Sequence, residues 1–333
     1  MIVNLPAMKI LVRLPNWLGD MVMSVAFLHE LHKQYPGAEV SVIAKKGLHE
    51  LLAFFPPIKH GFIFSKEEFK GARGLMSFGK KIRKTDNFDL FFCLPDSFSS
   101  ALMASASGAK ATVGYRKELR GFLLTNSYQK PKELHRVDEY LSLLQLYTEK
   151  ETGIPSVHIQ HHFQKKDYIV VNINSEASSR RLTVSKAVEQ LNALRKSTER
   201  KIVLIGTPKE KPFVEEVVEK LEVKNNIDNR AGKTDLSLLV TLLASAQVML
   251  STDSGPAHLA NALGTHTVVL FGAGNENNTA PYNADNRSIV RLNKLSCEPC
   301  QKNVCVKYKI PQCLQQLDVD MIVSKVKNGM DNE

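Results

Sequence analysis

Lys9-Ile10-Leu11-Val12-Arg13-Leu14 runs directly into Pro15-Asn16-Trp17-Leu18-Gly19-Asp20, and this junction decides the fold. The first six residues are a short apolar run of strand length. Beyond Asp20, apolar residues recur at Met21, Val25, Leu28, Leu31 and Tyr35, spacings of three and four that predict a helix. Pro36-Gly37 stops it, and Glu39–Ala44 (EVSVIA) is a second strand-like run. Strand, short loop, helix and strand make a βαβ unit, whose two strands lie parallel in one sheet.

The same alternation continues outward. Helices are expected at Gly47–Phe55 and Glu67–Lys84, with strands near Gly61–Phe64 and at Asp89–Leu94. Arg136–Lys150 reads as a helix, and Glu151–Lys166 turns polar, with Gly153, Pro155 and several histidines, as an inter-domain connection would. The pattern restarts with strands at Tyr168–Asn174, Lys201–Gly206, Val248–Asp253 and His266–Gly272. Helices are expected between them at Val184–Ser197, Lys211–Leu221, Asp235–Ala246 and Gly255–Leu263, and a last one at Asp318–Lys327. A chain of 333 residues is long for one core. The reading is therefore α/β: two doubly wound, Rossmann-like domains, residues 1–155 and 165–333, facing each other across a cleft.

Composition narrows the function. Lys and Arg total 44 against 34 Asp and Glu, a net charge of +10 that favours anionic partners such as nucleotide diphosphates or an acidic membrane face. A single Trp and dispersed basic residues argue against a nucleic-acid groove, where aromatic and basic side chains interleave. No apolar run reaches the ~20 residues of a membrane helix, and the N-terminus lacks a charged leader before an apolar block, so a cytoplasmic location is expected. There is no G-x-G-x-x-G after the first strand, no Walker A sequence, no H-E-x-x-H and no G-x-S-x-G. Those absences lower dehydrogenases, P-loop enzymes, zinc proteases and α/β-hydrolases.

In doubly wound sheets ligands bind beyond the carboxyl ends of the strands, so three post-strand loops carry the candidates. In the first, Gly19 permits a tight turn and Trp17 offers an exposed aromatic. Asp20 can either cap the following helix or act as a general base. In the second, Ser175–Thr183, the hydroxyl of Ser175 and the guanidiniums of Arg180 and Arg181 suit a diphosphate, unless the loop is simply solvated. In the third, Asp253-Ser254-Gly255-Pro256-Ala257-His258 opens a short helix, whose free N–H groups form an anion site. His258 reads equally as a buried or capping histidine.

Four of the five cysteines form Cys297-x2-Cys300-x4-Cys305-x7-Cys313. In a reducing compartment this spacing makes them candidates for a structural zinc site, with buried or free thiols as the competing reading.

Together these segments resemble a known family. Pro15-x-Trp17-x-Gly19-Asp20-Met21-x-Met23-Ser24 is similar to the N-terminal motif of ADP-heptose:lipopolysaccharide heptosyltransferases, heptosyltransferase II in particular. Asp253-Ser254-Gly255-Pro256-x-His258-x-Ala260 resembles their nucleotide-site motif. Asn229-Arg230-Ala231-Gly232-Lys233-Thr234-Asp235-Leu236 looks like their N-x-A-G-x-T-x-L segment, and Phe271-Gly272 with Thr279 and Pro281 looks like another of their cleft loops. The resemblance implies the GT-B fold and inverting, metal-independent transfer of a heptose from ADP-heptose to the lipopolysaccharide inner core. No cofactor is then needed for catalysis. It implies Asp20 as base, Trp17 and Gly19 on the acceptor side, and Arg180, Arg181, Ser175, Asp253, Ser254, Gly255, His258 and Glu210 around the donor, with Glu210 reaching the ribose. The implied partners are an ADP-sugar and an anionic, lipid-linked core oligosaccharide met at the inner membrane surface, with no nucleic acid. The chain departs from the family where Arg180-Arg181-Leu182-Thr183 replaces a K-x-W-P sequence. A transferase of the same fold using another nucleotide sugar, or a non-catalytic nucleotide- or glycan-binding relative, are the competing readings.

Overall fold

The computed structural model describes residues 7–331. The start of the N-terminal segment read above for a leader, residues 1–6, lies outside them, as do residues 332 and 333. The chain divides into two compact units, residues 1–159 and 160–333.

The first unit holds β1 (Lys9–Arg13), β2 (Glu39–Lys45), β3 (Gly61–Phe64), β4 (Leu90–Cys93), β5 (Ala111–Tyr115) and β6 (Asn126–Tyr128) in one sheet, ordered β3-β2-β1-β4-β5-β6. The second holds β7 (Tyr168–Asn172), β8 (Lys201–Leu204), β9 (Ile227–Asn229), β10 (Val248–Thr252), β11 (His266–Phe271) and β12 (Arg287–Arg291), ordered β9-β8-β7-β10-β11-β12. All ten pairings are parallel. Both units thus share one topology, in which the first strand is flanked by the second and the fourth. The order reverses between β1 and β4 and again between β7 and β10. Those two points are where a doubly wound sheet opens a crevice for a ligand.

The strands are continuous apolar runs because helices cover both faces. Ile10, Leu11, Val12, Phe91 and Phe92 are fully buried in the first unit, as are Ile169, Val170, Val248, Val268 and Val269 in the second. Each such side chain contributes about 1.5–3 kcal/mol on burial. Short β5, β6, β9 and β12 and the helix Phe98–Ser107 escape the sequence pattern. They are three to five residues long in the strands, too short for periodicity to register.

Two expected helices change form. Gly47–Phe55 is a 3-10 turn over His49–Phe54, and the helix after Asp20 breaks at Ser24 into Leu18–Met23 and Val25–Gln34. The Ser24 hydroxyl donates to the Met21 carbonyl at 2.6 Å, offering a local alternative to the helical ladder. Residues 149–167 form no helix or strand. No helix among the described residues is long and apolar enough to cross a membrane.

Candidate active site

In the first unit the crevice between β1 and β4 is bounded by the loops that follow them. Trp17 is the N-cap of Leu18–Met23, and Gly19 and Asp20 lie inside that helix. This corrects two expectations. Gly19 is buried in helical backbone and supplies no special turn, and Asp20 is a first-turn residue rather than the N-cap. It faces Arg136 instead, Oδ1 to Nε at 3.5 Å.

Arg136 opens the helix Arg136–Thr148 and donates from Nη1 to Glu139 at 2.6 Å. Glu139 takes Lys130 at 3.0 Å, and Lys130 takes Asp96, in the loop after β4, at 2.8 Å. Asp96 lies 3.7 Å from Arg120, which is fully buried. Acids and bases therefore alternate around the first crevice. The Tyr140 hydroxyl is held well above its ordinary pKa by burial, reinforced by the Asp20 charge, so it stays protonated.

Arg13 fixes the loop itself. Its buried guanidinium donates to the carbonyls of Leu14 and Ile43, both at 2.9 Å, and to Asn16 at 2.5 Å. Burial lowers its pKa to about 10. Trp17, 58% exposed, lies under the Lys45 ammonium, 5.7 Å from its ring centre. Arg13, Asp96, Lys130, Arg136 and Glu139 were not legible beforehand. Nothing in sequence spacing tells which basic and acidic residues the strand order will gather.

In the second unit the crevice lies between β7 and β10. Asn172, at the end of β7, donates to the Ser254 hydroxyl at 2.8 Å. Ser254 in turn lies 3.1 Å from Ser251 Oγ and donates to the Thr252 carbonyl at 3.1 Å. That hydroxyl is therefore used within the crevice and does not cap Gly255–Ala262, whose first turn is left without a side-chain cap. Asn174 donates to the Ile205 carbonyl at 2.9 Å, drawing in the loop after β8. Ser175 is buried, its hydroxyl 3.5 Å from the Asp253 carbonyl.

Arg180 ends the turn Ser178–Arg180 and approaches Asp253 from across the crevice, Nη1 to Oδ2 at 3.5 Å. Asp253 is 4% exposed, and burial raises its pKa. Arg180 and then Arg291 oppose that rise, and Glu276 adds to it. Arg180 Nε, Asp253 Oδ2 and Arg291 Nε are all buried and make no hydrogen bond among the described residues. Buried polar atoms are rarely left so, and a group of them on converging side chains calls for an explanation.

The other expected donor residues divide. Gly255 begins the helix, and His258 is buried in its second turn, in keeping with the buried-histidine reading. Arg181 turns onto the Phe213 ring, 5.3 Å from its centre. Glu210 accepts from the Thr207 amide and hydroxyl, both at 2.8 Å, and so closes its own loop. The segment read as N-x-A-G-x-T-x-L turns through Gly232 at φ +73°, and Asp235 caps Leu236–Ser245 by accepting from the Leu238 amide at 2.7 Å.

Among the described residues no group of three or more His, Cys, Asp or Glu side chains is placed to hold a metal ion. All five cysteines are free thiols, and the four of the cluster line one small cavity with Ser179, Gly272 and Glu298. Cys305 spends its thiol on the Ile310 carbonyl at 3.4 Å, and Cys313 packs into the space that a side chain at Gly272 would fill.

Two doubly wound units with polar groups gathered at each reversal of strand order define a GT-B glycosyltransferase architecture, and solved structures of that fold match it. The chain superposes on Escherichia coli ADP-heptose lipopolysaccharide heptosyltransferase II with a TM-score of 0.81 at 23% identity, over 97% of this chain and 98% of that one. It also matches the E. coli heptosyltransferase WaaC with ADP, with a TM-score of 0.76 at 15% identity over 97% and 100%. The model of glycosyltransferase family 9 (heptosyltransferase) matches residues 75–310, and the chain belongs to that family. In sequence it is 25% identical over 337 aligned positions to lipooligosaccharide heptosyltransferase 2 of Campylobacter jejuni, covering 98% of this chain and 99% of that protein. It is accordingly a glycosyl-transferring enzyme.

Proposed function

We propose that this enzyme transfers a heptose from ADP-heptose to the inner core of lipopolysaccharide by a single inverting displacement. The observation that carries the donor half is the trio of buried, unbonded polar atoms on Arg180, Asp253 and Arg291 at the second crevice. A diphosphate brings acceptor oxygens to the Arg180 guanidinium and meets the uncapped first turn at Gly255. Its negative charge next to Asp253 also favours that carboxyl in its protonated, donating form.

The first unit supplies the base. Asp20 takes the proton from the acceptor hydroxyl as its oxygen attacks the anomeric carbon. The bond from that carbon to the β-phosphate oxygen breaks, and its electron pair leaves on ADP. Arg180 and the helix start at Ser254-Gly255 neutralise the charge that develops there, the part a divalent ion plays in other transferases, so no metal enters the reaction. Arg136 keeps the Asp20 carboxylate aimed.

The acceptor is lipid-linked, and the carboxyl edge of the first sheet suits a membrane surface. Trp17, Phe98, Leu119 and Phe122 are exposed in the segments that follow β1, β4 and β5, Phe98 as the first residue of the helix Phe98–Ser107. Exposed Lys46, Arg116 and Lys117 follow β2 and β5 on the same edge. Apolar and cationic side chains together favour contact with anionic lipid on the cytoplasmic face.

Calorimetric titration with ADP-heptose beside UDP- and GDP-sugars, without added metal, tests the donor. Selective binding of the ADP-sugar supports the reading. Preference for another nucleotide would move the enzyme to a different glycan, a reading that Arg180-Arg181-Leu182-Thr183 keeps open.

A further inference from the structure

Arg291 ends β12, three strands away from the β7 strand that leads to Arg180, and its side chain is 4% exposed. Its guanidinium donates to the Gly272 carbonyl at 2.9 Å and to the Gly274 carbonyl, and pairs with Glu276 at 2.5 Å. All three partners lie in the segment after β11, Glu276 as the first residue of the short helix Glu276–Thr279. On its other side stands Glu298, also 4% exposed, at 3.7 Å, and the ring of Phe271 lies 5.7 Å from the guanidinium carbon. Glu298 is itself held, accepting from the Asn293 amide at 3.1 Å and the Leu295 amide at 3.3 Å. The loop that Arg291 grips is pressed onto Asp253, since a Cβ at Gly274 would stand 2.1 Å from Asp253 Oδ2.

The cysteine-bearing segment now has a place. It backs both donor loops at once. The Gln301 amide donates to the Ala273 carbonyl at 2.7 Å, the Ser179 amide to the Asn303 carbonyl at 3.2 Å, and the Ser179 hydroxyl to the Lys302 carbonyl. Ser179 directly precedes Arg180. A buried cation between two carboxylates, with two backbone carbonyls as further acceptors, is costly to assemble unless every partner is in register. Register is what a diphosphate site needs.

We propose that Arg291, anchored by Glu298, is a positioning residue that clamps the Gly272–Glu276 loop against Asp253 and thereby sets the affinity for the donor diphosphate. The affinity part rests on the donor-site reading above, and the clamp itself does not. Lysine cannot replace the fork that reaches two carbonyls and two carboxylates. The charged groups facing Asp253 are Arg180, Arg291 and Glu276. Removing the Arg291 charge therefore moves Asp253 titration to higher pH.

The test uses the full chain carrying Arg291→Met, Arg291→Lys or Glu298→Gln. Hydrogen exchange of residues 272–278 is measured without ligand, and ADP affinity is measured by calorimetry across pH. The clamp requires faster exchange in that loop in both Arg291 variants, with β7 and β10 unchanged. It also requires ADP binding to weaken on the order of 10- to 100-fold, with any pH midpoint set by Asp253 displaced upward in Arg291→Met. Glu298→Gln keeps a hydrogen-bonding group, should the Met variant fail to fold, and gives a smaller loss of ADP affinity with no upward displacement of that midpoint. An unchanged loop with ADP affinity within about twofold of the parent overturns the proposal. A loosened loop in a protein that never binds ADP leaves the clamp standing and removes the donor-site reading instead.

Discussion

The Arg180 guanidinium stands 3.5 Å from the Asp253 carboxylate, joining the loop after β7 to the loop after β10 across the reversal of strand order. The two residues are 73 positions apart, and only the β7–β10 pairing, Val170 against Met249, makes them neighbours. Several outcomes depend on this and the matching arrangement at Asp20.

Asp20→Asn removes the proposed base while keeping its shape. Turnover should fall by roughly 10²- to 10⁴-fold, while ADP affinity measured by calorimetry stays near that of the parent. A variant that turns over at the parent rate would assign the proton to another group.

Asp253 makes stability depend on pH. Its pKa is raised by burial, so between the ordinary carboxylate value and the raised one the folded state binds more protons than the unfolded. Stability must therefore decline as pH rises through that window. Asp253→Asn should flatten this part of a Tm-against-pH curve. Identical curves for parent and variant would mean that Arg180 and Arg291 fully offset the burial.

Gly274→Ala tests space rather than charge. The added methyl would fall 2.1 Å from Asp253 Oδ2 in helix-free backbone whose φ is not positive, so the cost is purely steric. The loop or the carboxylate must move. ADP binding should weaken by about tenfold or more, with circular dichroism unchanged. Undiminished binding would show that Asp253 can swing aside.

Arg13→Met removes three hydrogen bonds from beneath the Trp17 loop while retaining an apolar stem. The buried carbonyls of Leu14 and Ile43 lose a donor, at a cost of about 2–4 kcal/mol. Denaturant unfolding should read that loss. In steady-state kinetics kcat should drop with it, because Asp20 is carried on the helix this loop begins.

Alternating apolar runs and helical spacings were enough to determine the βαβ units and their parallel pairing, because strand and helix periods are local properties of the chain. Post-strand loops with Asp20, Arg180 and Asp253 were legible for the same reason. The resemblance of their motifs pointed to the family that the family model then matched. Periodicity carries no information about strand order. Tertiary structure alone decided that β1 lies beside β4 and β7 beside β10, bringing Asp96, Arg120, Lys130, Arg136 and Glu139 around one crevice and Arg291 and Glu298 behind the other. The placement of the cysteines was decided there too: spacing alone did not say which thiols would meet, and packing lines one small cavity with all four, Cys313 against Gly272 and Cys305 on a backbone carbonyl.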